Sequence, residues 1–508
     1  MKTTKRGFLA TIGTVAAAAA LVLTGSVAAH AAPPLPVPVQ STVTITKLSQ
    51  PNTLTAPANG TQVTTLPAGS APIAGVTFDY YLVTGTAAGQ ANDIGTQTGQ
   101  AYAAGLNATS APVPTTKTGS FGQTKDDGTT TLTLPRGLYL IKESGAPTGV
   151  TPAANFLLAV PLTDPVNQNA WLDTIYVYPK NAQIKATKTV GSETLTVGGD
   201  ATFTITTDIP RNPNPAGSPA FVAPSAFRIQ DTLTDSQLKL STTAAAALTV
   251  TAGGTTLTGG GADYTVTAVT GTNPATTTQR IEFTSTGLSK LATAVNANPG
   301  AQVVVKLVAT VQSAAVITNT ASVFPDQGSI TSNTPLVTTP VQMKYGTYLL
   351  NKKSTGGAGV SLAGAQFRVY ATQADAAAAN GNYLTTSTNT AGLWTTDANG
   401  QVSVGGLRYS GWVNGAAVAS GTAGYQTYYL VEVKALTGHQ LLTAPVAFTV
   451  DDNSATQMSQ TIVNQQTTGG FVLPLTGGSG VVVFTVFGVG ILAAVLIVAR
   501  LRRREAAE

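Results

Sequence analysis

Several side chains stand where a strand-rich sequence has no ordinary use for them. In residues 184–188 (IKATK) the two-residue alternation puts Lys188 on the face of Ile184 and Ala186. In residues 227–233 (FRIQDTL) Asp231 falls in line with Phe227, Ile229 and Leu233, and a late strand over 316–323 carries Asn319. Further along, residues 348–352 (YLLNK) place Lys352 on an apolar face; Lys353 is its rival, and the alternation favours Lys352. Glu432 shares a face with Tyr428 and Leu430, and residues 461–464 (TIVN) end on Asn464. Charges turned into a core are costly unless paired or neutralised.

The residue types suit one reaction. Burial lowers a lysine pKa and leaves the amine neutral, hence nucleophilic, while it keeps a carboxyl protonated. Such an acid can hydrogen-bond an Asn carbonyl, polarise it, and relay protons as ammonia leaves. The product is a Lys–Asn amide, formed once and without a cofactor. A buried ion pair with no bond is the plainer use of the same residues.

The elements that must position these groups are short strands. Segments with period-two alternation recur at 43–47 (VTITK), 73–78 (IAGVTF) and 137–143 (GLYLIKE), with Gly, Pro and Asn between them and no long helical pattern. With 508 residues, 10% charged residues and many Thr, Val and Gly, the expectation is all-β: three tandem Ig-like β-sandwiches. Their expected spans are 32–181, 182–340 and 341–466. Each lysine and its asparagine then lie at opposite ends of a sandwich, so a bond would close a loop of over 100 residues. By analogy with disulfides, the loop-entropy gain is about 5 kcal/mol. That would stabilise a chain that has no Cys.

The two ends are signals. Residues 1–31 read as a secretory leader: a basic start, an apolar stretch, and Ala29-His30-Ala31 as the small-residue end. His439 is then the sole histidine of the mature chain, which nearly excludes a His-based triad or a His-rich metal site. Residues 467–508 hold a linker, Leu473-Pro474-Leu475-Thr476-Gly477, an apolar run over 481–499 long enough to span as a helix, and four arginines at 500–504. The net charge of +5 partly reflects these ends, so nothing suggests nucleic-acid binding.

The pentapeptide, span and basic tail together resemble the LPxTG cell-wall sorting signal read by sortases of Gram-positive bacteria. Trp171-Leu172-Asp173-Thr174-Ile175-Tyr176-Val177-Tyr178-Pro179-Lys180-Asn181 resembles the pilin motif, whose core is Val-Tyr-Pro-Lys. Here Pro179 is expected to end the strand ladder and leave Lys180 just past it, exposed. The middle span is similar to A-type collagen-adhesin domains, which implies Lys188, Asp231 and Asn319 as one isopeptide set. The third is similar to B-type domains, with Tyr428-x-Leu430-x-Glu432 as the E-box and Lys352, Glu432 and Asn464 as the set. The usual Ala-Pro-x-Gly-Tyr that follows is Ala435-Leu436-Thr437-Gly438-His439 here. In the first span Lys47 and Glu143 fit the same template. The closing strand has no Asn around Tyr176–Tyr178, so no internal bond is expected there.

The chain thus resembles the major (shaft) pilin of sortase-assembled pili. That implies a covalent fibre: sortase cleaves after Thr476, and Lys180 of the next subunit attacks. The protein is then a substrate rather than an enzyme, with no metal or cofactor. The implied partners are a pilus-type sortase, further copies, peptidoglycan, tip or minor pilins, and ligands on host or bacterial surfaces. A monomeric wall-anchored adhesin shares every feature except Lys180 in its motif.

Overall fold

The computed structural model describes residues 35–51, 58–85, 90–214, 220–355, 359–452, 460–466 and 479–505. The leader and the Leu473–Gly477 pentapeptide lie outside the described residues. The strands form three β-sandwiches in chain order, because short alternating segments can bury one face only by stacking sheet on sheet.

In the first sandwich, Gln40–Thr46 lies between Thr129–Pro135 and Thr174–Val177. The same two chain segments then continue as Leu48–Ser49 and Lys180–Gln183, the latter also pairing with Val150–Thr151. The facing sheet runs Gly119–Ser120, Thr77–Leu82, Gly137–Gly145, Phe156–Val160. Val43, Ile45, Phe78, Ile141 and Ile175 fill the space between.

The second sandwich packs a sheet containing Ala186–Gly191, Asp200–Asp208, Gln302–Val311 and Leu248–Ala252 against one running Tyr264–Thr272, Ala275–Phe283, Arg228–Thr234, Ala321–Phe324, Leu336–Val337. Burial alternates strictly along Asp200–Asp208, as a half-buried strand requires. This sandwich also carries a helix the sequence pattern did not suggest, Ser285–Ala297. Thr284 caps it by accepting from the Gly287 N–H (3.2 Å), and Leu291 and Val295 are its buried stripe.

The long strand Val341–Ser354 belongs to two units. Its start pairs with Val316–Asn319 of the middle sandwich, in register Asn319↔Val341. Its remainder pairs with Gln401–Arg408 and, in parallel, with Gln460–Asn464 in the third. Trp394–Thr395, Gln366–Tyr370, Tyr428–Lys434 and Val446–Phe448 make the opposing sheet.

The chain ends in the helix Ser479–Glu505. Its side chains are described over residues 485–500, and Val486, Phe487, Ile491, Leu496 and Ile497 are all exposed. Among the described residues no helix is long and apolar enough to cross a membrane.

Candidate cross-linking sites and the linking lysine

Each sandwich buries one lysine in its core. Lys47 and Lys352 are fully inaccessible and Lys188 is 5% exposed. Alternation explains all three. In every case the residues two and four positions before the lysine point inward, and the lysine takes the next inward position. Each amine also sits over an aromatic ring: Lys47 over Phe78 (5.5 Å to the centroid), Lys188 over Phe203 (4.9 Å) and Lys352 over Phe367 (5.7 Å).

In the third sandwich Lys352 Nζ meets Asn464 Oδ1 and lies 3.6 Å from Glu432 Oε1. The Asn464 amide donates to both Glu432 oxygens, each at 2.9 Å. The Leu442 N–H holds Glu432 Oε2 in place (3.0 Å). Burial pushes the Lys352 amine below its ordinary value, and the Glu432 charge only partly restores it. Ser354↔Asn464 are register partners in parallel strands, so the cluster spans the first and last strands of one sheet.

The second sandwich brings Lys188 Nζ to Asp231 Oδ2 (2.6 Å) and to the Thr320 carbonyl (3.3 Å). Burial again lowers the Lys188 pKa. Asn319 is 4% exposed, and neither atom of its amide has a partner; Asp231 Oδ1 is also without one. Lysine and acid are thus in contact, and the asparagine lies one residue from the carbonyl that Lys188 touches. Orphaned buried amides cost about 1–3 kcal/mol each, so this triple stores an unmet demand for a partner.

The first sandwich corrects the sequence reading. Lys47 Nζ donates to Glu143 Oε2 (2.8 Å) and meets Asn181 Oδ1. Asn181 Nδ2 donates to Glu143 Oε1 (2.6 Å), and the Ala153 N–H to Glu143 Oε2 (3.0 Å). The missing asparagine was therefore three residues beyond Tyr178. Pro179 does not end the sheet. The chain swaps partners there, from Gln40–Thr46 to Leu48–Ser49, and strand geometry resumes at Lys180. The signal was present in the sequence, since Asn181 follows Lys180 directly.

The same partner swap corrects Lys180. It opens the strand Lys180–Gln183 and is half-buried, not exposed beyond a strand end. Its Nζ donates to the Tyr178 carbonyl at 3.4 Å, and burial lowers its pKa. Lys180 and Asn181 are consecutive strand residues and point to opposite faces, one toward the surface and one into the core.

The geometry also changes the role expected for the acids. The carboxyls of Glu143 and Glu432 meet the asparagine nitrogen, not its carbonyl. An acid placed between the lysine amine and that nitrogen can take a proton from the first and give it to the second. In that arrangement a neutral lysine Nζ would be placed to attack the amide carbon, with the C–Nδ2 bond breaking and ammonia leaving.

Lys47 is held at a pKa of about 8 by burial, against the Glu143 attraction, with the nearby Lys180 charge lowering it further. The neutral, reactive fraction is then roughly 100-fold smaller at pH 6 than above pH 8. If protein is refolded at pH 6 and at pH 9, ammonia loss at this site should be markedly faster at pH 9. A peptide-mass time course reads it, and equal rates at the two pH values would remove the lysine amine as the controlling group.

Three family models match the chain: the Gram-positive pilin subunit D1 N-terminal domain over residues 38–182, a prealbumin-like fold domain over 346–466, and an LPXTG cell wall anchor motif over 465–506. Among curated proteins, a fimbrial subunit type 1 of Actinomyces viscosus is 30% identical over 402 residues, covering 73% of each chain. A fimbrial subunit type 2 of Actinomyces naeslundii is 28% identical over 482 residues, covering 86% of this chain and 85% of its own. Among solved structures, the full-length major pilin SpaD of Corynebacterium diphtheriae superposes with a TM-score of 0.62 at 21% identity, over 84% of this chain and 98% of that one.

Proposed function

This chain belongs to the fimbrial subunits of Gram-positive bacteria, anchored to the wall at its C-terminus, and we propose that it forms the shaft of its fibre through a Thr476–Lys180 bond. Sortase cleaves between Thr476 and Gly477 and holds the Thr476 acyl group. The Lys180 amine of another copy attacks it, an amide forms, and the enzyme is released. The last copy in the fibre passes to peptidoglycan. The observation that carries this reading is the setting of Lys180. It is half-buried on a strand locked into its sandwich, with a lowered pKa that favours the nucleophilic amine, in a chain that also holds the anchor. The apolar sequence run over residues 481–499, whose side chains are only partly among those described, is assigned as the segment that holds the precursor in the membrane until cleavage. An SDS-resistant ladder in wall extracts tests the proposal. A single band at monomer mass, with the partner sortase present, would instead mark a monomeric adhesin.

The three buried triples are assigned as internal Lys–Asn amides: Lys47–Asn181 with Glu143, Lys188–Asn319 with Asp231, and Lys352–Asn464 with Glu432. The supporting geometry is closest in the first and third, where the lysine amine meets the asparagine side chain. These bonds set the load path of the fibre. Tension entering at Lys180 runs to Lys188, crosses to Asn319, follows the chain to Lys352, crosses to Asn464 and leaves at Thr476. Residues 189–318 and 353–463 carry no tension. Single-molecule pulling between the two ends should therefore release no length from either stretch. Lys188→Ala should restore the extension of the first stretch alone. Release of both stretches by the unaltered protein would contradict the assignment.

A further inference from the structure

We infer that the joint between the second and third sandwiches is a protonation-dependent lock, with Glu193 as the group that sets it. The turn between Ala186–Gly191 and Asp200–Asp208 leaves its own sandwich and wedges into the next. The Arg408 N–H donates to the Leu195 carbonyl (2.9 Å), Val197 N–H to the Gly406 carbonyl (2.8 Å), and Ser387 N–H to the Val197 carbonyl (2.9 Å). The Tyr345 hydroxyl donates to the Thr194 carbonyl (2.9 Å). At the tip, the Asn414 N–H donates to Glu193 Oε2 at 2.7 Å. Asn414 lies in the turn between Trp412–Val413 and Ala416–Ala417, and the Trp412 indole donates to the Gln342 carbonyl (2.9 Å).

One feature of this joint is incomplete. Glu193 Oε1 is buried with no partner, and so is Arg408 Nε on the other side. Arg408 is 4% exposed, and its terminal nitrogens are committed to the Trp412 and Gly424 carbonyls. The two opposite charges are desolvated without forming a salt bridge. A carboxylate in that position lacks the compensation that burial demands, whereas a carboxylic acid does not need it. The remaining ionisable groups do not supply a counter-charge. Tyr345 and Tyr428 face Glu193 with their pKa values raised by burial, and Lys344 lies over the Trp412 ring, 4.3 Å from its centroid. Burial accordingly pushes the Glu193 pKa up to about 7, against the Asn414 hydrogen bond and the Arg408 charge.

The sign follows from linkage. A carboxyl whose pKa is higher in the closed joint than in the open one binds a proton on closing. Closure is then strongest below the ordinary carboxylate pKa of about 4.5 and weakens as pH rises toward about 7. Above that it is flat. Glu193 is not fully buried, so the full effect of the shift is discounted for solvent screening. The joint is expected to open at least about tenfold more at pH 8 than at pH 5. Because this joint lies between the two internal-bond sites, acidity would stiffen the fibre at its subunit midpoint.

Hydrogen exchange on the mature chain at pH 5 and pH 8, corrected for intrinsic rates, tests this. The reporters are the Val197, Ser387, Arg408 and Asn414 amides, with the Gln302–Val311 strand as the internal standard of folding. The expected result is that the four reporters open at least about tenfold more at pH 8 in the unaltered protein. Glu193→Gln should hold them near the pH 5 value at both. Equal opening at both pH values in the unaltered protein overturns the proposal, whatever the variant does. So does a Glu193→Gln protein, folded by its internal standard, that keeps the full pH dependence.

Discussion

Cells carrying Lys180→Ala are expected to yield only monomer-mass protein in wall extracts, where unaltered cells yield an SDS-resistant ladder. The effect should be all-or-none because the intersubunit bond needs one amine per copy. No neighbouring lysine can replace it. Lys47 is sealed in the core, and Lys185 stands on the next segment, past the Lys180–Gln183 strand. The substitution should leave the fold intact, since the Lys180 side chain makes one long hydrogen bond to the Tyr178 carbonyl and points away from the core. Retained monomer at normal abundance, with an unchanged melting temperature, would show that linkage was lost and folding was not. A ladder that survives in Lys180→Ala would keep the fibre and move its linking residue elsewhere. Lys180→Arg serves as the companion variant: it keeps the charge and length, but a guanidinium is not deprotonated under these conditions. It should fail to polymerise in the same way.

The second large effect concerns the internal bonds. Intact-mass measurement of the soluble region should show a deficit of three ammonias, about 17 Da each, one for every Lys–Asn amide formed. Glu432→Ala should restore one ammonia, because the proton relay between Lys352 and Asn464 is gone while both reactants remain. Glu143→Ala should restore one by the same reasoning at Lys47 and Asn181. Losing a cross-link that closes a loop of this size removes about 5 kcal/mol of loop-entropy stabilisation. For a sandwich of this size that lowers Tm by roughly 15 °C or more. The unlinked variant also leaves a buried lysine without its acid, which adds to the loss. A deficit of two that maps by peptide mass to the second and third sandwiches would fit the sequence expectation instead and would leave the first sandwich without a bond. No deficit would reduce all three clusters to buried polar networks.

The alternation of residues was enough to identify Lys188, Lys352 and Glu432 as inward-facing, because side-chain direction in a strand repeats every two residues. It was also enough for the all-β class. The helix Ser285–Ala297 escaped notice because Gly287 and several Ser and Thr residues dilute its apolar stripe, and only the packing of Leu291 and Val295 against the sheet reveals it. Asn181 was missed because a proline was taken as the end of a ladder. Proline removes one donor, but it does not stop a chain from pairing with a different neighbour on the far side.

The division between the two sources of information follows from range. What the sequence by itself determined was local or contiguous: the sorting signal from Leu473 to the arginine tail and the inward positions of the buried lysines, with the leader and the Lys180 motif as expectations of the same local kind. Each is legible because the physics that reads it acts over a few residues. What only the tertiary structure decided was which distant groups meet. That includes Asn181 with Lys47 and Glu143, the acids' placement on the asparagine nitrogens, the sharing of Val341–Ser354 between two sandwiches, and the unpaired Glu193 and Arg408 across their joint. Those contacts depend on strand register and on how one sandwich seats against the next. Both are set by the whole core at once, not by any one segment.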